Sequence, residues 1–178
     1  MGFAALHATT KTSPAWARVN SALHARESMS QVLEEVEKAI SLLGLSKEVR
    51  LLKDEGASLY DSLVTHFVEG GDRRWWWEAF SHPSESITYD NGKGFEQLSQ
   101  FVPDSKEVVW FVVEDDQLPY YPIFEASIEN VTKIIGECFA FEYYLVPTDK
   151  SWLLCENHHN RIIGVGAQVV SAIQRVSM

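Results

Sequence analysis

Apolar residues recur at intervals of three and four from Ser30 onward, at Val32, Leu33, Val36, Ile40 and Leu43. That spacing gathers them on one face of a helix, with Ser30 before its start and Gly44 as its stop. Ser46 opens a second predicted helix, in which Val49, Leu52, Leu59, Leu63 and Phe67 face inward. Gly56 weakens the middle of this helix, and Gly70-Gly71 end it. Asp72 is then placed to cap a short aromatic helix over Arg73 to Phe80, closed off by His82-Pro83.

The period changes in the second half. Ile87 to Tyr89 reads as a strand ending in the turn Asp90-Asn91-Gly92, and Gly94 to Phe101 as a short helix. Glu107 to Glu114 is β-branched and aromatic throughout its interior, as a strand covered on both faces requires. Asp115, Asp116 and Pro119 punctuate it, and Tyr120 to Ala126 is a weaker extended segment. Ser127 caps a helix carrying Ile128, Val131, Ile134 and Ile135. Phe139 to Val146, Trp152 to Asn157 and Arg161 to Val165 read as three successive antiparallel strands, and Ala167 to Val176 as a closing helix. The expected fold is α+β: a helical N-terminal half packed on a C-terminal, mainly antiparallel sheet with one or two interspersed helices.

Residues 1–28 are weakly patterned around Trp16 and read as an extension, leaving 29–178 as a single domain. A chain of 178 residues buries enough surface to need no disulfide or metal staple. Its two cysteines, Cys138 and Cys155, suggest a reducing compartment, although spacing alone leaves a disulfide between them open. No basic-then-apolar leader opens the chain, and no apolar run approaches the ~20 residues of a membrane helix, so the expected location is the cytoplasm.

Charge narrows the partner classes. The net charge is −10, and Ser84 to Tyr144 carries 12 acidic against 3 basic side chains. Such a surface repels phosphate backbones and steers basic partners toward it, so a protein partner is expected and nucleic acid is not. Glu114-Asp115-Asp116 is the densest acidic run, read as a solvated loop between strands, with cation binding as the alternative, and in the partner-binding reading as an exposed acidic patch.

Three tryptophans in a row, Trp75-Trp76-Trp77, fan over ~200° of a helix, so one face cannot bury them all. At least one is expected at the edge of the core or at an interface, where tryptophan is enriched among energetic anchors. The alternative is that the triplet mostly fixes its helix onto the sheet.

Cys155-Glu156-Asn157-His158-His159 is the most suggestive stretch for chemistry. On a strand, Cys155 and His159 stand ~13 Å apart, beyond the ~3 Å reach a nucleophile needs to its base. Glu156 and His158 share a face about 7 Å apart, close enough to hold one ion, with Glu142 or Tyr144 of the preceding strand nearby. No HExxH or CxxC pattern supplies further ligands, so no cofactor is expected. The alternative reading is a polar hairpin tip. Gly164-Val165-Gly166 echoes a dinucleotide motif, but only twelve residues follow it, too few for a βαβ unit.

The series Phe141-Glu142-Tyr143-Tyr144-Leu145-Val146, Asp149, and Trp152-Leu153-Leu154-Cys155-Glu156-Asn157-His158-His159 resembles an uncharacterised, mainly bacterial family with a Trp-x-x-x-Glu-Asn-His strand. The resemblance spans about Trp75 to Gly166 and brings no activity with it. The leading functional expectation is a non-catalytic protein-binding domain, in its sharpest form an immunity-type inhibitor of a basic toxin. The candidate contact residues are Trp75, Trp76, Trp77, Glu114, Asp115, Asp116, Glu156, His158 and His159. The alternatives are a small metal-dependent or hydrolytic enzyme using Glu156, His158 and His159, and a structural subunit of a larger assembly.

Overall fold

The computed structural model describes residues 30–71 and 74–178. The expected extension over residues 1–28, and the Asp72 cap and Arg73 start of the aromatic helix, lie outside them. Seven strands are described: β1 (Arg50–Leu51), β2 (Ser84–Thr88), β3 (Val108–Val113), β4 (Ile123–Ser127), β5 (Tyr143–Pro147), β6 (Leu153–Glu156) and β7 (Arg161–Val165). The described helices are α1 (Gln31–Leu42), α2 (Gly56–Phe67), α3 (Ile128–Glu137) and α4 (Ala167–Val176), with 3-10 turns at Trp76–Glu78 and Gly94–Gln100. The strands form one antiparallel sheet in the order β1-β4-β3-β5-β6-β7-β2.

This is an α+β fold, but helices and strands are not divided between the two halves. The sheet takes β1 and β2 from the first half, and α3 and α4 lie in the second. Each face of the sheet carries its own core. Val109, Phe111, Val113, Tyr143, Leu145, Leu154 and Ile162 point to a face covered by α1, α3, α4 and the Gly94–Gln100 turn. Val112, Tyr144, Val146, Leu153, Cys155, Ile163 and Val165 point the other way, against α2 and Trp76. The period-two alternation of β3 and β5 feeds both cores, which is why these central strands read as unbroken apolar runs. A fully buried Leu, Val or Phe on either face contributes roughly 1.5–3 kcal/mol.

Local signals explain most element ends. The Ser30 hydroxyl accepts from the Leu33 N–H at 3.1 Å, and Gly44 takes φ 69° just beyond α1. The Ser127 hydroxyl caps α3 by accepting from the Asn130 N–H at 3.3 Å.

Two expected helices fall short, and the strand expected from Phe139 begins only at Tyr143. The helix expected from Ser46 to Phe67 begins only at Gly56, which is its first residue and not its middle. Ahead of it, Arg50 and Leu51 pair with Glu125 and Phe124 as an edge strand, so a long-range ladder overrides the helical spacing of Val49 and Leu52. The expected aromatic helix is also reduced. Only Trp76–Glu78 turns, as a 3-10 helix, and Phe80 bridges back to Val68. The two cysteines are free and lie in different cores, Cys155 with α2 and Cys138 beside α1 and α3. Among the described residues no helix is long and apolar enough to cross a membrane.

Candidate functional site

Where β3 runs out, its last inward turn places Glu114 and Asp115 below the surface. Both are buried, whereas Asp116 is half exposed. The acidic run is therefore not a solvated patch. Glu114 follows β3 directly, and its N–H donates to the Glu142 carbonyl at 3.0 Å, extending the β3–β5 ladder by one step. That step sets the two carboxyl side chains against each other. Asp115 accepts from the Gln117 N–H at 3.1 Å and faces the N-terminal turn of α1. Burial raises its pKa against those donors.

Glu142 is the most heavily engaged group here. The Trp77 Nε1–H donates to its Oε2 at 2.9 Å and the His158 N–H to its Oε1 at 3.1 Å, and the His158 Nδ1 also meets that oxygen. Burial alone would raise its pKa, but bonds from Glu114, His158 and Trp77 outweigh that and lower it. Glu114 moves the other way. Burial, then the hydrogen bond and charge of Glu142, push it up to about 8, against the opposing pull of Arg74. Its Oε2 has no donor among the surrounding N–H and O–H groups. Burial and the neighbouring Glu142 thus favour the protonated form of Glu114 near neutral pH.

The tryptophan triplet alternates around this pair. Trp76 is fully buried and packs on Tyr144, with ring centroids 4.6 Å apart, while its N–H donates to the Tyr144 hydroxyl at 3.1 Å. Trp75 and Trp77 turn to the opposite side and stack on each other at 6.1 Å. His158 approaches both, at 5.4 and 5.8 Å, and His159 meets Trp77 edge-on at 5.8 Å. The two histidine rings are 4.0 Å apart and exposed. Arg74 completes the arrangement. Its Nε lies 3.3 Å from Glu114 Oε1, its Nη2 3.0 Å from Asp116 Oδ2, and its guanidinium 5.4 Å from the Trp75 ring centre.

Together these groups line a cleft of about 400 Å³, walled by Trp75, Phe139 and Phe141 and floored by Glu114, Asp115 and Glu142. Of the candidates from sequence, Trp75, Glu114, Asp115, Asp116 and His158 line it; Trp77 and His159 stand at its edge through ring contacts with Trp75 and His158. Trp76 supports it from within the core. Glu156 is placed elsewhere. Tyr143 donates to its Oε2 at 2.6 Å, and it lines a neighbouring cavity of about 320 Å³ with Asn157 and Phe95; that cavity shares Phe141, Glu142 and His158 with the cleft. Burial raises the Glu156 pKa, opposed by Tyr143 and by the N–H groups of Gly94 and Phe95. Its role is to anchor the Gly94–Gln100 turn: a Cβ on Gly94 would lie 2.6 Å from Glu156 Oε1. Glu156 and His158 consequently spend their polar atoms on different partners, and no group of three or more potential ligands for a metal ion occurs among the described residues.

Two charged members of the cleft, Arg74 and Glu142, stand outside the candidate contact residues read from sequence. Arg74 carried a signal only in its adjacency to the tryptophans. Glu142 was noticed as a neighbour of the hairpin, and the sign of its role, one charge inside an apolar strand, was legible.

Fold and site define a two-core antiparallel α+β domain with a carboxyl-floored, tryptophan-walled cleft at one end of its central strands. The chain belongs to a family of unknown function (DUF6756), whose model matches residues 28–177, well beyond the Trp75-to-Gly166 stretch that carried the resemblance. No curated protein and no solved structure matches it.

Proposed function

We propose that this domain is a non-catalytic protein-binding module that receives a cationic side chain of a basic partner in the Glu114–Glu142 cleft. The observation that carries this reading is the pairing of a buried carboxyl floor with the half-buried Trp75 wall, backed by Trp77 at its edge. Carboxylates attract a cation, and flat indole faces bind it with little loss of side-chain freedom. The acidic excess of the surrounding chain adds long-range attraction. In its sharpest form the partner is a basic toxin or effector and the domain an immunity-type inhibitor.

The test is binding of basic and acidic peptides of equal length at rising salt. Basic peptides should bind the wild type, lose affinity with salt and bind Asp116→Lys more weakly. Equal binding of both peptide classes, or none of the basic one, would sink the proposal.

A second reading is supported by the same carboxyl pair. Two carboxyls with pKa values driven apart are what general acid–base catalysis uses, with Glu114 as acid and Glu142 as base. That enzyme would depend on these residues and not on Glu156, His158 and His159 as a converging set. Hydrolase activity abolished by Glu114→Gln in a folded protein would favour it over the binding module.

A further inference from the structure

We propose that the cleft is a guanidinium site occupied in the free protein by the chain's own Arg74, and that an arginine of the partner enters by displacing it. The inference rests on the binding reading above and names the residue type recognised.

Arg74 already makes the contacts an arginine receptor would offer. Carboxyl oxygens meet two edges of its guanidinium, Glu114 Oε1 at Nε and Asp116 Oδ2 at Nη2, and the Trp75 ring lies within cation–π range of its face. Lysine cannot reproduce this, because one compact ammonium does not serve two separated edges and a stacking face together. Yet Arg74 holds the place weakly. Its side chain is 57% exposed, and ion pairs so open to water are largely offset by solvation and side-chain entropy.

The floor of the cleft is also left incomplete. Glu114 Oε2 and Asp115 Oδ2 are both buried without a hydrogen-bond donor, and Arg74 reaches neither. Glu114 and Asp115 are themselves more than nine-tenths buried and line the cleft. Buried carboxylate oxygens in that state are costly, and a guanidinium with five N–H donors is suited to both.

Displacement carries a proton signature. The groups facing Glu114 are Arg74 from the segment before the Trp76 turn, Asp115 and Asp116 from its own loop, Glu142 and Tyr144 from the β5 strand and its approach, and His158 beyond β6. Burial and, of these groups, Glu142 hold Glu114 toward its protonated form, against the pull of Arg74. A guanidinium seated on the pair replaces that proton, so binding should release it and tighten as pH rises toward 8.

The probes are N-acetyl-arginine methylamide and its lysine counterpart, titrated into the full chain and followed by tryptophan fluorescence. Arg74→Ala and Arg74→Met should bind the arginine probe about two- to sixfold more tightly than the wild type, as removal of a weakly held internal competitor requires. The lysine probe should gain much less, and Trp75→Ala should abolish the gain. The Met variant keeps the aliphatic stem should the Ala variant fail to fold. Equal arginine affinity with and without Arg74, or equal gains for lysine, overturns the inference. If basic peptides bind while neither single-residue probe does, the inference fails and the binding module stands; if nothing cationic binds, both fail.

Discussion

The Glu114 N–H donates to the Glu142 carbonyl at 3.0 Å, which carries the β3–β5 pairing one residue past the strand end and sets the two carboxyls beside each other, one raised in pKa and the other lowered. The sheet register thus creates the polar centre. Without that extra rung, the two side chains would face water separately and neither would hold an unusual charge state.

The pair makes stability depend on pH in opposite senses. Glu114 is raised to about 8, so between its ordinary 4.5 and about 8 the folded protein holds a proton that the unfolded chain releases. Stability therefore falls as pH rises through that window, with a slope approaching about 1.4 kcal/mol per unit. Glu142 is lowered, so its contribution is present above 4.5 and is lost as pH falls below it. Denaturant unfolding at pH 5 to 8.5 should show the decline in the wild type and a flattened profile in Glu114→Gln. The same slope in both proteins would contradict the assignment.

Trp75 and Trp76 should respond to substitution in different ways. Trp76→Ala empties the space between Tyr60, Tyr121 and Tyr144 and should cost about 3–5 kcal/mol. Trp75 is half exposed, and Trp75→Ala should cost less than about 1 kcal/mol while weakening binding of basic peptides. Thermal unfolding and peptide titration of both variants separate support from contact.

Glu156 should prove structural. Tyr143→Phe removes the donor at 2.6 Å and leaves a buried carboxyl oxygen less satisfied, a loss of about 1–3 kcal/mol. Gly94→Ala forces a methyl against Glu156 and Ile162 and should cost about as much. Both variants should retain peptide binding once folded, and loss of binding at full stability would place Glu156 in the functional site.

Neither thiol should react quickly in the native protein. Burial pushes the Cys155 thiol well up and the Cys138 thiol up to about 12, so neither is a thiolate at pH 8. Labelling of buried Cys155 by an aromatic disulfide reagent should await unfolding, and that of half-buried Cys138 should be slow; rapid labelling of both in the folded protein would contradict this.

Helical and strand periods were legible wherever one face decided the outcome, as in α1, α3, α4 and the β5–β7 meander. They failed where a distant partner decided. Val49 and Leu52 keep a helical spacing with Leu59 and Leu63, but Arg50 and Leu51 are claimed by β4. The tryptophan triplet was read correctly as too wide for one buried face, and wrongly as helical: Trp75 is extended, which sends Trp76 inward and its neighbours outward. Glu114-Asp115-Asp116 appeared as one acidic run because sequence carries charge without depth. Two of the three are buried, Glu114 against Glu142 and Asp115 against the start of α1.

The most direct test of the cleft as a cation-binding site is the indole N–H region of the NMR spectrum during titration with an arginine-rich peptide. The Trp75 and Trp77 signals should shift together and saturably, while those of the buried Trp76 and Trp152 stay largely in place. Saturable binding that leaves Trp75 and Trp77 unmoved would contradict the account.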